Sequence, residues 1–317
     1  VSRYTRQPLD FAHLATVPIA ARGGKVRLEH MARPHQRGAG LAAWLDSLPG
    51  LLGADTLRKI VAAIAEARAR GRAIIWGMGG HVVKCGLAPV LVDLMERGYV
   101  TALAMNGAAS IHDFEIAIAG CTSEDVEAVL PDGRFGSADE TGRWMNEAIA
   151  AAHDIGMGEA LGARLDTCTP AENAPYSLLL QAWRRSIPVT VHVAVGTDTP
   201  HTHPAADGAA IGAASHRDFR LFCSLVRELD DGGVYINVGS AVVLPEVFLK
   251  AVSVTRNLGY PLGNFTTVNL DFLQHYRPTL NVVKRPHAER GGAGYALTGH
   301  HELLVPLIAA LLVEATA

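Results

Sequence analysis

The sequence predicts an α/β layer sandwich, a mostly parallel sheet with helices on both faces. Five short apolar runs recur along the chain, at 73–76, 100–105, 189–195, 233–238 and 265–270. Four of the five show no regular alternation of apolar with polar residues, which suits strands buried on both faces of a parallel sheet. Stretches of helical composition separate them, and this alternation is the mark of an α/β fold.

The elements follow in order. Residues 1–50 are irregular, with Arg, Pro and Gly spread through them, and read as an arm packed on the body or on a neighbouring subunit. "ADTLRKIVAAIAEARARG" (54–71) reads as a helix capped by Asp55 and ended by Gly71. The strands and helices then alternate to the end, with no linker, repeat or low-complexity block, so 51–317 is expected to be one domain. "TSEDV" (122–126) reads as a capping-box variant, with Thr122 three residues before Asp125.

Bulk properties narrow the function. The chain has 317 residues, 49% of them apolar, and a formal net charge of −3 from 28 Lys+Arg and 31 Asp+Glu. That balance gives no basic surplus for nucleic acid. No apolar run of about 18 residues predicts a membrane span. The four cysteines form no C-x-x-C pair, and read as reduced thiols of a cytoplasmic protein. Only Lys25, Lys59, Lys84, Lys250 and Lys284 could serve lysine chemistry.

In parallel sheets, ligands bind beyond the carboxyl ends of the strands. The exits here are "GMGGHVVKCG", "NGAASIHDFE", "GTDTPHTHPAADGAAIG", "GSAVVLPE" and "VNLDFLQHYRP". Four of the five carry glycine, and together they hold much of the chain's His, Asp and Asn. The glycines of "GMGG" (77–80) either let backbone amides approach a phosphate or simply make a tight turn. Asn106 and Asp113 read either as ligand contacts or as helix-start residues. In the loop after the third strand, His192, Asp198, His201 and His203 could ligate a metal and support a metal-dependent hydrolase. The same side chains, Asp198, His201 and His203 among them, could instead hold a cationic or polyhydroxylated substrate. Lys284 lies in "RPTLNVVKRP", read as a strand, where an apolar setting would lower its pKa and make it a nucleophile; the alternative is an exposed lysine at a strand end.

From about residue 70 to about 310 the chain resembles the deoxyhypusine synthase family, in its bacterial deoxyhypusine synthase-like branch. The residues that carry the resemblance are "GGHVVKCGLAPVLVDLMERGYVTALAMNGAASIHDFE", "HPAADGAAIGAASHRDF" and "NVGSAVVLPEVFLKA". It implies a Rossmann-like fold and a homotetramer with sites at subunit interfaces. It also implies an NAD-dependent aminobutyl transferase that acts on spermidine or a related amine through a lysine imine. The acceptor would be a protein lysine or a free diamine, and no metal is called for. Gly79, Gly80 and His81 fall on a cofactor turn, as do Asn106 and Gly107, with Asp113 near the acid that follows. Asp207 and Gly208 resemble an Asp-Gly cofactor motif, Gly239 and Ser240 a Gly-Gly turn, and His300 falls near an acid that opens the last helix. Lys284 matches the imine-forming lysine, although the family's Ser-Trp-Gly-Lys is here Asn-Val-Val-Lys and the acids ahead of it are missing. Lys84 falls on a serine position, so by the resemblance it is not the family's nucleophile but a helix-start residue near the cofactor phosphates. The family's catalytic histidine falls at Pro245–Glu246, so Glu246 is the candidate base.

Overall fold

The computed structural model describes residues 3–315. Six strands, β1 (Ile74–Met78), β2 (Ala102–Asn106), β3 (Val189–His192), β4 (Val234–Val238), β5 (Thr266–Asp271) and β6 (Ala293–Thr298), form one sheet. The helices are α1 (Gly40–Ser47), α2 (Leu52–Ala69), α3 (Gly80–Lys84), α4 (Ala88–Glu96), α5 (Gly107–Ala119), α6 (Val126–Val129) and α7 (Asp139–Ala151). They continue as α8 (Met157–Cys168), α9 (Leu178–Arg184), α10 (Gly208–Arg227), α11 (Val243–Asn257), α12 (Tyr276–Pro278) and α13 (His301–Glu314).

Every neighbouring pair of strands is parallel, in the order β3-β2-β1-β4-β5-β6. The chain winds outward from β1 in one direction and then restarts at β4 in the other. This is the strand order of a dinucleotide-binding fold, and its switch point lies between β1 and β4. The expected Rossmann-like sandwich is therefore present.

The apolar runs explain the two layers. Ile74, Trp76 and Met78 of β1 enter the larger core with α2, α4, α5 and α13, while Ile75 enters the core made with α10 and α11. Trp76 satisfies its Nε1–H on the Tyr99 carbonyl at 3.0 Å, and the Tyr99 hydroxyl donates to the Leu312 carbonyl at 2.9 Å. These bonds let two large amphipathic rings be fully buried. On the other face Tyr235 stacks on Phe248 at 3.9 Å.

Three local expectations are corrected, and one strand was not foreseen. Helix α2 starts three residues before Asp55, which pairs with Lys59 at 2.7 Å instead of capping. Asp125 itself caps α6, accepting from the Ala128 amide, and Thr122 turns away to His112 and Glu115. The stretch around Lys284 is not a strand: Thr279–Lys284 is a turn of π-helix that continues α12. The sixth strand escaped notice because "AGYALT" is an edge strand, half exposed and carrying a glycine.

Residues 3–39 lie outside the packed body, all exposed except His30. Apolar side chains including Leu9, Phe11, Leu14 and Ile19 stand in solvent there. Near α1 the arm is tied to the body, where the Arg33 and Gly50 amides donate to the Ser47 and His30 carbonyls.

The open edge at β3 is covered from α10. Asp218 accepts from the Val191 amide of β3 at 2.7 Å and from the Gly158 amide of α8 at 2.9 Å. Ser215 donates to the Val191 carbonyl at 3.0 Å. These bonds occupy groups that would otherwise template another strand. Burial pushes the Asp218 carboxyl up to about 7 and that of Asp113 up to about 6. It holds the buried His192 imidazole down to about 4.

The sign of the pH dependence follows. Between about pH 4 and pH 6 the folded chain keeps two carboxyl protons that the unfolded chain releases, and it lacks one imidazole proton that the unfolded chain binds. Each retained carboxyl proton contributes stability that grows as pH falls through this window, by about 1.4 kcal/mol per pH unit, and the lowered imidazoles of His192, His112, His287 and His301 oppose it. In Asp218→Asn one retained proton is removed, so the slope of stability against pH over this window should shift by about 1.4 kcal/mol per pH unit toward greater stability at higher pH. Urea unfolding at several pH values checks this, and an unchanged slope in the variant would contradict it.

Candidate cofactor crevice and adjoining groove

At the switch point the β1 and β4 exits touch. The Gly79 amide donates to the Val238 carbonyl at 3.0 Å, and the Gly239 amide to the Leu270 carbonyl at 3.1 Å. A Cβ on Gly79 would collide with the Gly239 carbonyl oxygen. Gly239 has φ +62°, and a Cβ there would stand 2.9 Å from the His301 ring. These glycines are needed for close backbone approach and for a left-handed turn.

A buried amide ladder fixes the neighbouring exits. Asn237 Nδ2 donates to the Ser240 carbonyl at 2.9 Å and to Asn269 Oδ1 at 2.7 Å, and Asn269 Nδ2 donates to Gln274 Oε1 at 2.8 Å. Ser240 Oγ accepts from the Leu244 amide at 3.2 Å and so starts α11. Asn237 Oδ1 and the Tyr235 hydroxyl are buried there without a partner. The sequence reading missed this ladder. Its signal was an Asn at the same register in "YINV" and "TVNL".

Helix α3 divides the region in two. On one side His81 and Cys85 face the start of α13, and the rings of His81, His301 and Phe272 meet at 5.2–6.0 Å. His300 stacks over Phe272 at 6.3 Å and is otherwise exposed. His301 is buried, close to the Leu270 carbonyl at 3.2 Å. On the other side Gly80 packs on α5, where its Cβ would stand 3.0 Å from Ala108 and His112.

Beyond that packing lies a groove of about 1000 Å³, lined by Lys84, His112, Glu115, Asp198, Phe135 and Trp144 among others. Glu124 and Glu140 add two more carboxylates to its wall. Glu115 accepts from Thr122 and, at 3.3 Å, from Thr141, and Thr122 also meets His112 Nδ1 at 2.7 Å. Burial keeps the His112 imidazole below its usual range. Asp198 reaches over from the β3 exit and sits on the bare Cα of Gly107, where a Cβ would overlap its carboxylate. It accepts from the Ala194 amide at 3.2 Å, and burial pushes its carboxyl up.

The predicted site residues divide accordingly. Gly79, His81, Gly239, Ser240 and His300 gather at the crevice, while Gly80 packs on α5 across α3. Asn106 caps α5 by accepting from the Ala109 amide at 2.9 Å. Gly107 and Asp198 lie across α3, beside the groove. Asp207 caps α10, accepting from Ala209 and Ala210, and Gly208 is open to solvent.

Asp113 is not a ribose partner. It is fully buried and accepts from Ser177 Oγ at 2.7 Å and from the Leu178 and Leu179 amides at 2.6 and 3.0 Å. Its work is to cap α9. The His-rich loop does not assemble a metal centre either. His192 is buried against Phe222 at 5.2 Å, His203 meets Asp139 at 3.5 Å, and Asp198 is seated on Gly107. His201 buries an unpartnered Nδ1 elsewhere in the loop. With its ligands dispersed, the hydrolase reading loses its site.

Glu246 and Lys284 are displaced from the crevice as well. Glu246 is held by Arg277 at 3.3 Å, Lys250 at 3.4 Å and Asn281 at 3.0 Å, which is not the apolar setting that makes a carboxylate a base. Thr267 near the start of β5 donates to the Val282 carbonyl at 2.6 Å. The exposed Lys284 therefore follows near the amino ends of the strands, about 13 Å of strand below the exits.

No protein-family model matches the chain, and no curated protein matches it in sequence. Solved structures share its fold. A conserved LOR/SDH protein from Methanococcus maripaludis is 16% identical with a TM-score of 0.53, over 84% of this chain and 71% of that one. AgrE, in ternary complex with ornithine and NAD+, is 14% identical with a TM-score of 0.55 over 82% of this chain, which spans only 33% of AgrE. An Entamoeba histolytica protein assigned as a deoxyhypusine synthase is 13% identical with a TM-score of 0.51, over 90% of this chain and 97% of that one. These likenesses establish the fold and support the deoxyhypusine synthase resemblance at that level. Among the described residues no helix is long and apolar enough to cross a membrane.

The seat of Asp198 can be tested by itself. Gly107→Ala should destabilise the protein by about 1–3 kcal/mol, because the new methyl displaces a half-buried carboxylate. In the double variant with Asp198→Ala most of that loss should disappear, giving a coupling of about 1 kcal/mol or more by denaturant unfolding. Strictly additive losses would show that the carboxylate does not rest on this glycine.

Proposed function

We propose that the protein is an NAD-dependent enzyme of deoxyhypusine synthase-like type whose substrate is an amine, with spermidine or a related polyamine as donor. The observation that carries this reading is the switch point between β1 and β4 with an acidic, aromatic-walled groove directly behind α3. The residues at the switch point suit the cofactor. Asn237 Oδ1 there is a buried acceptor without a donor. NAD would supply the acceptance and return of a hydride, which requires its nicotinamide to reach past α3 to the groove.

The groove suits the amine. Glu115, Glu124, Glu140 and Asp198 offer carboxylates to ammonium groups, and Trp144 and Phe135 offer faces to the alkyl stem and its charge. Among the described residues Lys84 is the lysine that lines it. We therefore move the imine-forming role from Lys284 to Lys84. The Lys84 amine attacks the oxidised carbon of the donor and takes over its aminobutyl group as an imine, expelling the rest of the donor as a free amine. A second amine, a protein lysine or a diamine, then displaces Lys84. The exposed apolar arm is the segment with which neighbouring copies in a homotetramer would be embraced.

Incubation with spermidine and NAD, borohydride reduction and peptide mapping test the assignment. An adduct at Lys84 is expected, and Lys84→Ala should lower turnover by roughly a hundredfold or more. Glu115→Gln should raise the KM for the amine. An adduct at Lys284, or none, would overturn the role of Lys84.

A further inference from the structure

Helix α3 turns two donors of different chemistry to the same side. His81 and Cys85 are four residues apart, one helical turn, and so share a face. Glu302, in the first turn of α13, meets them across the crevice. Cys85 Sγ lies 3.1 Å from His81 Nε2 and 3.7 Å from Glu302 Oε2, and one ligand atom from each of the three residues falls within 4.8 Å of the others. Among the described residues no other His, Cys and acid cluster meets that condition.

We propose that His81, Cys85 and Glu302 form a binding site for a zinc-type divalent cation at the mouth of the crevice. Zinc takes thiolate, imidazole and carboxylate at about 2.3, 2.0 and 2.1 Å in a tetrahedron, which sets sulfur about 3.5 Å from each of the other two donors. The observed 3.1 and 3.7 Å bracket that spacing, so only small side-chain shifts are needed. A thiolate and a carboxylate balance the two positive charges, and the sulfur favours zinc over magnesium or calcium.

The supports are in place. His300 Nδ1 stands 3.8 Å from the other Glu302 oxygen and can orient it. The ligand-bearing helices are anchored by buried neighbours, Val82 and Val83 on α3 and His301 on α13. Three protein ligands leave one position for water or for an oxygen or nitrogen donor of a substrate, the pattern of a reactive rather than a structural site. The inference does not rest on the NAD assignment, since it needs only these side chains.

The test uses the full chain, stripped with a chelator and titrated with zinc and with cobalt alone. One equivalent of zinc should bind, and cobalt should give a near-ultraviolet thiolate-to-metal charge-transfer band. That band should vanish in Cys85→Ser and persist in Cys121→Ser, which alters an exposed cysteine outside the cluster. Zinc affinity should fall by roughly tenfold or more in His81→Ala and in Glu302→Gln. Circular dichroism and melting confirm that each variant is folded. Absence of the band, its survival in Cys85→Ser, or unaltered zinc affinity in His81→Ala and Glu302→Gln would overturn the site. NAD binding, measured separately by fluorescence, keeps this outcome distinct from the cofactor reading.

Discussion

The contact of Gly79 with the Gly239 carbonyl governs the upper half of the molecule. Because neither position carries a side chain, the exits of β1 and β4 close on each other directly, and the ladder continues one step past each strand. Helix α3 must then leave at once, and it does so as a single short helix wedged between α13 and α5. A side chain at Gly79 would push the two exits apart and carry α3 with them. Crevice and groove would both lose the wall they share.

Buried carboxylates do a second kind of work. Asp113 caps α9, Asp218 caps α8 while covering the edge of β3, and Asp198 sits over the first residue of α5. In each case an acid from one element meets backbone amides or a helix start on another. The partial positive charge of a helix start favours the carboxylate, yet loss of water disfavours it more, and the carboxyls of all three are pushed up. Elevated acids in this fold therefore mark joints between helices. Only Asp198 combines such a seat with exposure to the groove.

This separates what was legible in the sequence from what was not. Apolar runs, four of them without regular alternation, identified five strands, since burial on both faces leaves a local trace. The glycine-bearing exits identified the end of the sheet where the crevice lies. Partners distant in sequence left no such trace. Asp113 looks like a ligand contact at a helix start, and only the fold brings Ser177, 64 positions later, to its carboxylate. His192 looks like one ligand among several, but strand alternation turns it into the core against Phe222, away from His201 and His203. The Val-Val before Lys284 suggests a strand, whereas those residues pack a π-turn against β5 and β6. His81 and Glu302 become neighbours only because β1 and β6 both end at the same face of the sheet.

The shortness of α3 has a mechanical consequence. Five residues cannot hold a helix by their own hydrogen bonds. Its geometry is set from outside, by Val82 and Val83 in the core and by the close packing of Gly80 on Ala108 and His112. His81 and Cys85 point to one side of this small body and Lys84 to the other. A ligand drawn onto His81 or Cys85 acts on the same turn that carries Lys84 into the groove. A rigid wall this thin transmits displacement, because packed interiors yield little. The side chains that face the crevice and the lysine that lines the groove are thus carried by a single helical turn.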